Sequence, residues 1–138
     1  MNLQKLVHGE VDTDLEGKAY QEYSGAEWAA LMATFAEQIA AGCVYIHSEQ
    51  RPHLDIKPEN ILIAHEASGY VCKLADFGMA FSEPVEEAAA AAIDEEAIVP
   101  YGTWEYLSPE CWKRKYGNPS FASDMFAFGL IHVFPLVV

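Results

Sequence analysis

The sequence predicts an α+β fold that is mostly helical, and three observations predict it. A one-sided apolar stripe runs through residues 24–49 at helical spacing. Two short strand-like runs, 61–64 and 70–75, flank a stretch of turn composition. A second apolar stretch occupies residues 121–138. The first is read as a long helix packed on a core, the second as a hairpin and the third as a buried helix.

Residues 1–23 open with a short amphipathic piece, Leu3, Leu6 and Val7, and continue as a polar, acidic stretch from His8 to Glu22. Ser24 and Glu27 then form a capping-box pattern that marks a helix start. Behind it, Trp28, Leu31, Phe35, Ile39, Cys43 and Ile46 recur in steps of three and four. Such a stripe belongs against a core, although an aromatic-rich face can also bind a partner. Between the strand-like runs, His65 to Gly69 supplies the turn, which would bring Asn60 and Asp76 together at the open end of the hairpin.

Residues 79–101 carry Glu83, Glu86, Glu87, Asp94, Glu95 and Glu96 around an alanine run, Ala88 to Ala92. The plain reading is a solvated loop with some helical tendency; the other is a permanent acidic patch. A short helix is expected after Pro109, then a loop with Gly117 and Pro119. Pro135 should kink or end the last helix. The Phe121–Val138 stretch includes Ser123, Asp124, His132 and Pro135, so a buried helix is preferred to a membrane span, which needs about 20 apolar residues.

A chain of 138 residues suits one domain, and its 51% hydrophobic content allows a core. The net charge of −13 argues against nucleic acid and against an anionic membrane surface, both of which call for Lys and Arg. Cys43, Cys72 and Cys111 are odd in number and lack metal-like spacing. They read as reduced core thiols of an intracellular protein, in cytoplasm or nucleus.

Four motifs carry the chemistry. The first is His53-Leu54-Asp55-Ile56-Lys57-Pro58-Glu59-Asn60, followed by the apolar run from Ile61. Sixteen residues after Asn60 comes the second, Asp76-Phe77-Gly78. The third is Gly102-Thr103-Trp104-Glu105-Tyr106-Leu107-Ser108-Pro109-Glu110, and the fourth Ser123-Asp124-Met125-Phe126-Ala127-Phe128-Gly129. In this order they resemble the catalytic loop, the metal-binding turn, the end of the activation segment and the start of the buried large-lobe helix of the eukaryotic-type, Ser/Thr-like protein kinases.

The resemblance implies a partial kinase large lobe. It assigns 1–23 to a segment after the hinge, 24–49 to the preceding helix, and 53–78 to catalytic loop, hairpin and metal-binding turn. Residues 79–110 become the activation segment and 121–138 a truncated buried helix. It implies ATP and Mg²⁺ as cofactors and a protein substrate phosphorylated on Ser or Thr. Asp55 would accept the substrate hydroxyl proton, and Lys57 would hold the transferred phosphate. Asn60 and Asp76 offer hard oxygen ligands for Mg²⁺. Thr103 would shape the substrate site. His53, Glu110 and Asp124 are expected in structural roles: packing under the Asp76–Gly78 turn, an ion pair that in intact kinases joins an arginine beyond the last residue here, and bonding to the catalytic-loop backbone. The remaining histidines, His8, His47, His65 and His132, show no spacing that suggests a site.

The sequence departs from the family pattern in two ways. Leu54 stands where an arginine usually precedes the catalytic Asp, which suggests control other than loop phosphorylation. No glycine-rich G-x-G-x-x-G, strand lysine or paired helix glutamate occurs among the 138 residues. The chain alone is therefore expected to be a feeble kinase or none, with apolar surface open to a partner. The alternative reading is an inactive kinase-like binding or scaffold module.

Overall fold

Ser24 and Glu27 close a reciprocal cap. Glu27 N–H donates to Ser24 Oγ at 3.2 Å, and Ser24 N–H donates to Glu27 Oε2 at 2.8 Å. The cap starts the longest element of the computed structural model, helix α2, Gly25–Ser48. The structure describes residues 1–7, 24–67, 69–80 and 102–133. The acidic stretch His8–Glu22 and nearly all of the Glu- and Ala-rich segment therefore lie outside the described residues, as does Pro135.

Among the described residues before α2 lies a short helix, α1, Leu3–Val7; after α2 come strands β1, Ile61–Glu66, and β2, Gly69–Leu74. Helices α3, Pro109–Trp112, and α4, Phe121–Val133, follow, and tight 3₁₀ turns lie at 58–60, 77–79, 104–106 and 114–116. Among the described residues the fold is mostly helical with one two-stranded antiparallel sheet.

The α2 stripe buries Phe35, Ile39, Cys43 and Ile46, while Trp28 and Leu31 in its first half are only partly covered. The buried four join Leu3 and Leu6 of α1, Ile56, Ile61 and Ile63 beside and within β1, Cys72 of β2, and Ala127 and Ile131 of α4 in one core. Alternation in β1 follows the strand period: Ile61 and Ile63 point inward and Leu62 outward, at 49% exposure.

The strands pair from Ile61↔Leu74 to Glu66↔Gly69. The hairpin is thus longer than the turn composition implied, and His65 and Glu66 are strand residues. His65 sits opposite Tyr70, their rings 5.1 Å apart. That cross-strand pair outweighs the local turn preference. Each strand also has a backbone partner beyond the hairpin. Gln38 of α2 acts on β2 as a side-chain rung, donating through Nε2 to Tyr70 O at 2.9 Å and accepting from Cys72 N–H at 2.5 Å. On β1, Ile63 N–H donates to Met1 O at 2.7 Å. These bonds satisfy backbone groups that a lone hairpin would leave open.

Helix α4 buries one face only. Ser123, Asp124, Ala127 and Ile131 face inward, whereas Met125 and Phe126 are 46% and 42% exposed. The buried helix expected here is buried on that face, and its other face is exposed at Met125 and Phe126. Among the described residues one helix, Gly25–Ser48, is long and apolar enough to cross a membrane, and here its central stripe is buried in the core.

All three cysteines are free and buried. Burial, and then the negative charge of Asp124, push the Cys43 thiol from 9.0 up to about 11; burial pushes Cys72 up to about 12. A thiol whose pKa is raised by folding keeps its proton longer in the native chain, so its stabilising contribution is constant below pH 9 and lost above it. Urea midpoints should therefore fall between pH 9 and 11, and less steeply in Cys43→Ala; an equal fall in both would contradict this. In the same assay Phe35→Ala should cost about 3–5 kcal/mol, whereas Ser24→Ala should cost about 1 kcal/mol.

Candidate active site

The segment after α2 is shaped by its backbone before its side chains matter. Leu54 adopts a left-handed conformation, φ 63°, which costs a non-glycine residue about 1–2 kcal/mol. Two hydrogen bonds offset that cost: the Asp124 carboxylate accepts from His53 N–H through Oδ2 and from Leu54 N–H through Oδ1, both at 2.7 Å. Asp124 is 1% exposed and stands in the first turn of α4. Leu54 is itself buried, so the place where the family pattern has an arginine is an apolar contact here.

Four of the sequence-predicted residues meet at the end of this bend. Lys57 Nζ lies 2.9 Å from Asp55 Oδ2 and donates to Thr103 Oγ1 at 2.7 Å. Thr103 Oγ1 donates in turn to Asp55 Oδ1 at 3.0 Å. Asn60 closes the other side, its Nδ2 donating to Asp55 O at 2.9 Å and Asp55 Oδ2 at 3.0 Å. Both Asp55 oxygens are thereby oriented, while the side chain keeps 11% exposure and Lys57 keeps 20%. Gly102, φ 76°, lets Thr103 come this close. A Cβ at Gly102 would stand 2.7 Å from Leu54 O and 2.7 Å from Leu107 Cδ2.

The hairpin connects the fifth residue. Ala75 N–H donates to Asn60 O at 2.8 Å, so Asp76 emerges one residue beyond the rung that ends at Asn60. Asp76 is exposed and left-handed, φ 60°, and its Oδ1 accepts from Gly78 N–H at 3.3 Å. His53, fully buried, lies under this turn: its Nε2 is 3.0 Å from Ala75 O, and its ring centroid is 4.9 Å from that of Phe77.

Glu110 has a hydroxyl neighbour rather than a charged one among the described residues: Ser123 Oγ donates to its Oε1 at 2.7 Å. Burial works against its ionisation, but hydrogen bonds from Ser123 and Ser108 and from its own backbone outweigh burial and hold the carboxyl below the usual range. One residue was missed by sequence reasoning. His47 Nε2 lies 2.8 Å from Asp124 Oδ2, a partner 77 residues away that no local spacing signals.

The donor set suits a hard cation. With Nδ2 turned to Asp55, the Asn60 amide presents its oxygen on the opposite side, and Asp76 adds an exposed carboxylate. Among the described residues no group of three or more His, Cys, Asp or Glu forms a cage. An amide and one carboxylate fit Mg²⁺, which keeps water and phosphate oxygens as its other ligands.

The family model described as "Protein kinase domain" matches residues 7–137. The chain belongs to the eukaryotic-type protein kinase superfamily. It is 38% identical over 95 residues to serine/threonine-protein kinase pkn2 of Myxococcus xanthus, a match covering 69% of this chain and 11% of that protein. It is 36% identical over 128 residues to a calcium/calmodulin-dependent protein kinase type II of Caenorhabditis briggsae, covering 91% and 21%. To the Arabidopsis thaliana protein SUPPRESSOR OF NPR1-1 CONSTITUTIVE 4 it is 31% identical over 129 residues, covering 91% and 10%. The chain thus spans only a tenth to a fifth of the length of these relatives.

The packing of this kinase chain around Gly102 is directly testable. Gly102→Ala should lower stability by at least about 1–2 kcal/mol through backbone strain alone, with the two close approaches adding to it. Gly69→Ala also has positive φ, at 108°, but meets nothing within 4 Å. A larger urea-midpoint loss for Gly69→Ala than for Gly102→Ala would contradict the described packing.

Proposed function

We propose that this chain takes part in ATP-dependent phosphoryl transfer to Ser or Thr hydroxyls of a protein substrate. The observation that carries the reading is the closed set of hydrogen bonds joining Asp55, Lys57, Asn60 and Thr103. Phosphoryl transfer asks little covalent chemistry of a protein and much positioning. Asp55, with both oxygens oriented, is the group that takes the hydroxyl proton. Lys57 brings a positive charge to the same point, and Thr103 fixes the separation of the two. Asn60 and Asp76 would hold Mg²⁺. When bound, Mg²⁺ and ATP supply the transferable phosphoryl group and the charge neutralisation that the transfer needs.

Specificity for Ser and Thr is supported by Lys57, which resembles the loop lysine of Ser/Thr kinases, and by the similarity to a serine/threonine-protein kinase of Myxococcus xanthus. The three free buried thiols support a reducing intracellular compartment, cytoplasm or nucleus. The net charge of −13 argues for protein rather than nucleic acid or anionic membrane as the partner.

The test is label transfer from γ-labelled ATP, with Mg²⁺, to a mixture of Ser-, Thr- and Tyr-containing peptides. Label transferred by this chain alone should be feeble and should appear on Ser or Thr, and Asp55→Asn should reduce that rate about 10²–10⁴-fold, as for loss of a general base. Asp76→Asn should weaken Mg²⁺-dependent nucleotide binding. Transfer unaffected by Asp55→Asn would overturn the assignment. Nucleotide binding with no transfer would favour the binding-module reading.

A further inference from the structure

We propose that the aromatic groove between α3 and α4 binds a short acidic segment of a protein partner, whose apolar side chains enter the groove and whose carboxylates meet Lys113 and Lys115. No residue that lines the groove belongs to the candidate active site. The inference does not rest on the phosphoryl-transfer reading.

The groove holds about 730 Å³, within the range of ligand sites. Its walls are aromatic: Trp104, Trp112, Tyr116 and Phe126 line it, exposed by 53%, 42%, 60% and 42%. The rings of Trp104 and Trp112 stand 4.7 Å apart at 86°, edge to face, so each braces the other. Large apolar side chains gathered on a surface mark a place that a partner covers. Half the surface of four aromatic side chains amounts to about 300–500 Å². A stable dimer needs about 800 Å² from each partner. The patch therefore suits one peptide segment better than a second copy of this chain.

Charge decides the chemistry of that segment. The chain has 8 Lys and Arg against 21 Asp and Glu, yet Lys113-Arg114-Lys115 sets three cationic residue types in succession at this place. Lys113 lines the groove, and Lys115 Nζ stands 5.3 Å from the centroid of the Tyr116 ring. That cation–π contact keeps an ammonium group over an aromatic wall. Among the described residues Glu105 is the one acid that lines the groove, so two ammonium groups face a single carboxylate there. Aromatic walls supply affinity for apolar side chains, and the cations orient a ligand of opposite charge. Cations and aromatic rings also suit single-stranded nucleic acid. With a net charge of −13, the chain as a whole repels a polyphosphate, whereas a short peptide engages only the local charges.

Binding of synthetic peptides to the full chain, without ATP or Mg²⁺, tests this. The probes are Glu-Glu-Phe-Glu-Leu-Glu-Glu, the same peptide with Gln for every Glu, and the same with Lys for every Glu. The overall charge of the chain would favour the Lys peptide, and a merely apolar patch would take all three alike. The Glu peptide should instead bind about tenfold more tightly than the Gln peptide at low salt, as two exposed ion pairs allow, and the Lys peptide more weakly than either. Lys113→Gln combined with Lys115→Gln should remove the preference for Glu over Gln, and Trp112→Ala should weaken both peptides. Amide signals of Trp112 and Tyr116 should shift on binding, and that of Ile63 in the hairpin should not. Preference for the Lys peptide, equal binding of all three, no binding up to about 1 mM, or a preference that survives the double lysine variant would each overturn the proposal. Tighter binding of a short oligothymidylate than of the Glu peptide would assign the groove to nucleic acid and overturn it too. A concentration-dependent dimer abolished by Trp112→Ala would assign the groove to a second copy, with the same consequence.

Discussion

A single buried carboxylate governs the geometry of this chain. Asp124 gathers the backbone of His53 and Leu54 and the ring of His47 onto two oxygens. Hydrogen bonds to a charged group contribute about 1.5–3 kcal/mol each, against about 1–2 kcal/mol for the left-handed Leu54. The bonds win, and the bend persists. From it the constraint passes outward: His53 sits on Ala75, Ala75 pairs with Asn60, and Asn60 holds Asp55. The hairpin and the loop are thereby locked in one register, with α4 as the post to which both are tied.

The site that results is a hydrogen-bonded ring of unlike groups. A carboxylate, an ammonium, a hydroxyl and an amide satisfy one another around Asp55, each partly buried and each with its direction set. Networks of this kind hold their members more firmly than isolated pairs do, because losing one leaves the rest unpaired in a low dielectric. Gly102 is the narrow point of the arrangement, since no side chain fits between Leu54 O and Leu107 there.

How much was legible in the sequence depended on distance along the chain. The Ser24–Glu27 cap is local, and both of its bonds are present. The helical stripe from Phe35 to Ile46 was likewise readable from spacing, and the core followed it. The grouping of Asp55, Lys57, Asn60 and Thr103 could be expected only through family resemblance, because Thr103 lies 46 residues from Lys57. The hairpin was placed correctly but drawn too short, since His65 answers to Tyr70 across the strand rather than to its neighbours. The Gln38 rung on β2 and the Met1 pairing with Ile63 carried no sequence signal at all. Each depends on a partner at least 32 residues away, and ordinary residue types give no clue to such a match. The exposed Met125–Phe126 face of α4 was missed for a related reason, since an all-apolar stretch does not say which side is covered.

The central claim is that residues from a loop, a hairpin end and a distant glycine-led segment form one phosphate-handling site. Chemical-shift mapping with a non-hydrolysable ATP analogue, with and without Mg²⁺, tests it most directly. The account predicts that signals of Lys57, Asn60, Asp76 and Thr103 shift together, and that those of Asn60 and Asp76 do so only with the metal present. No response at these four residues would contradict it.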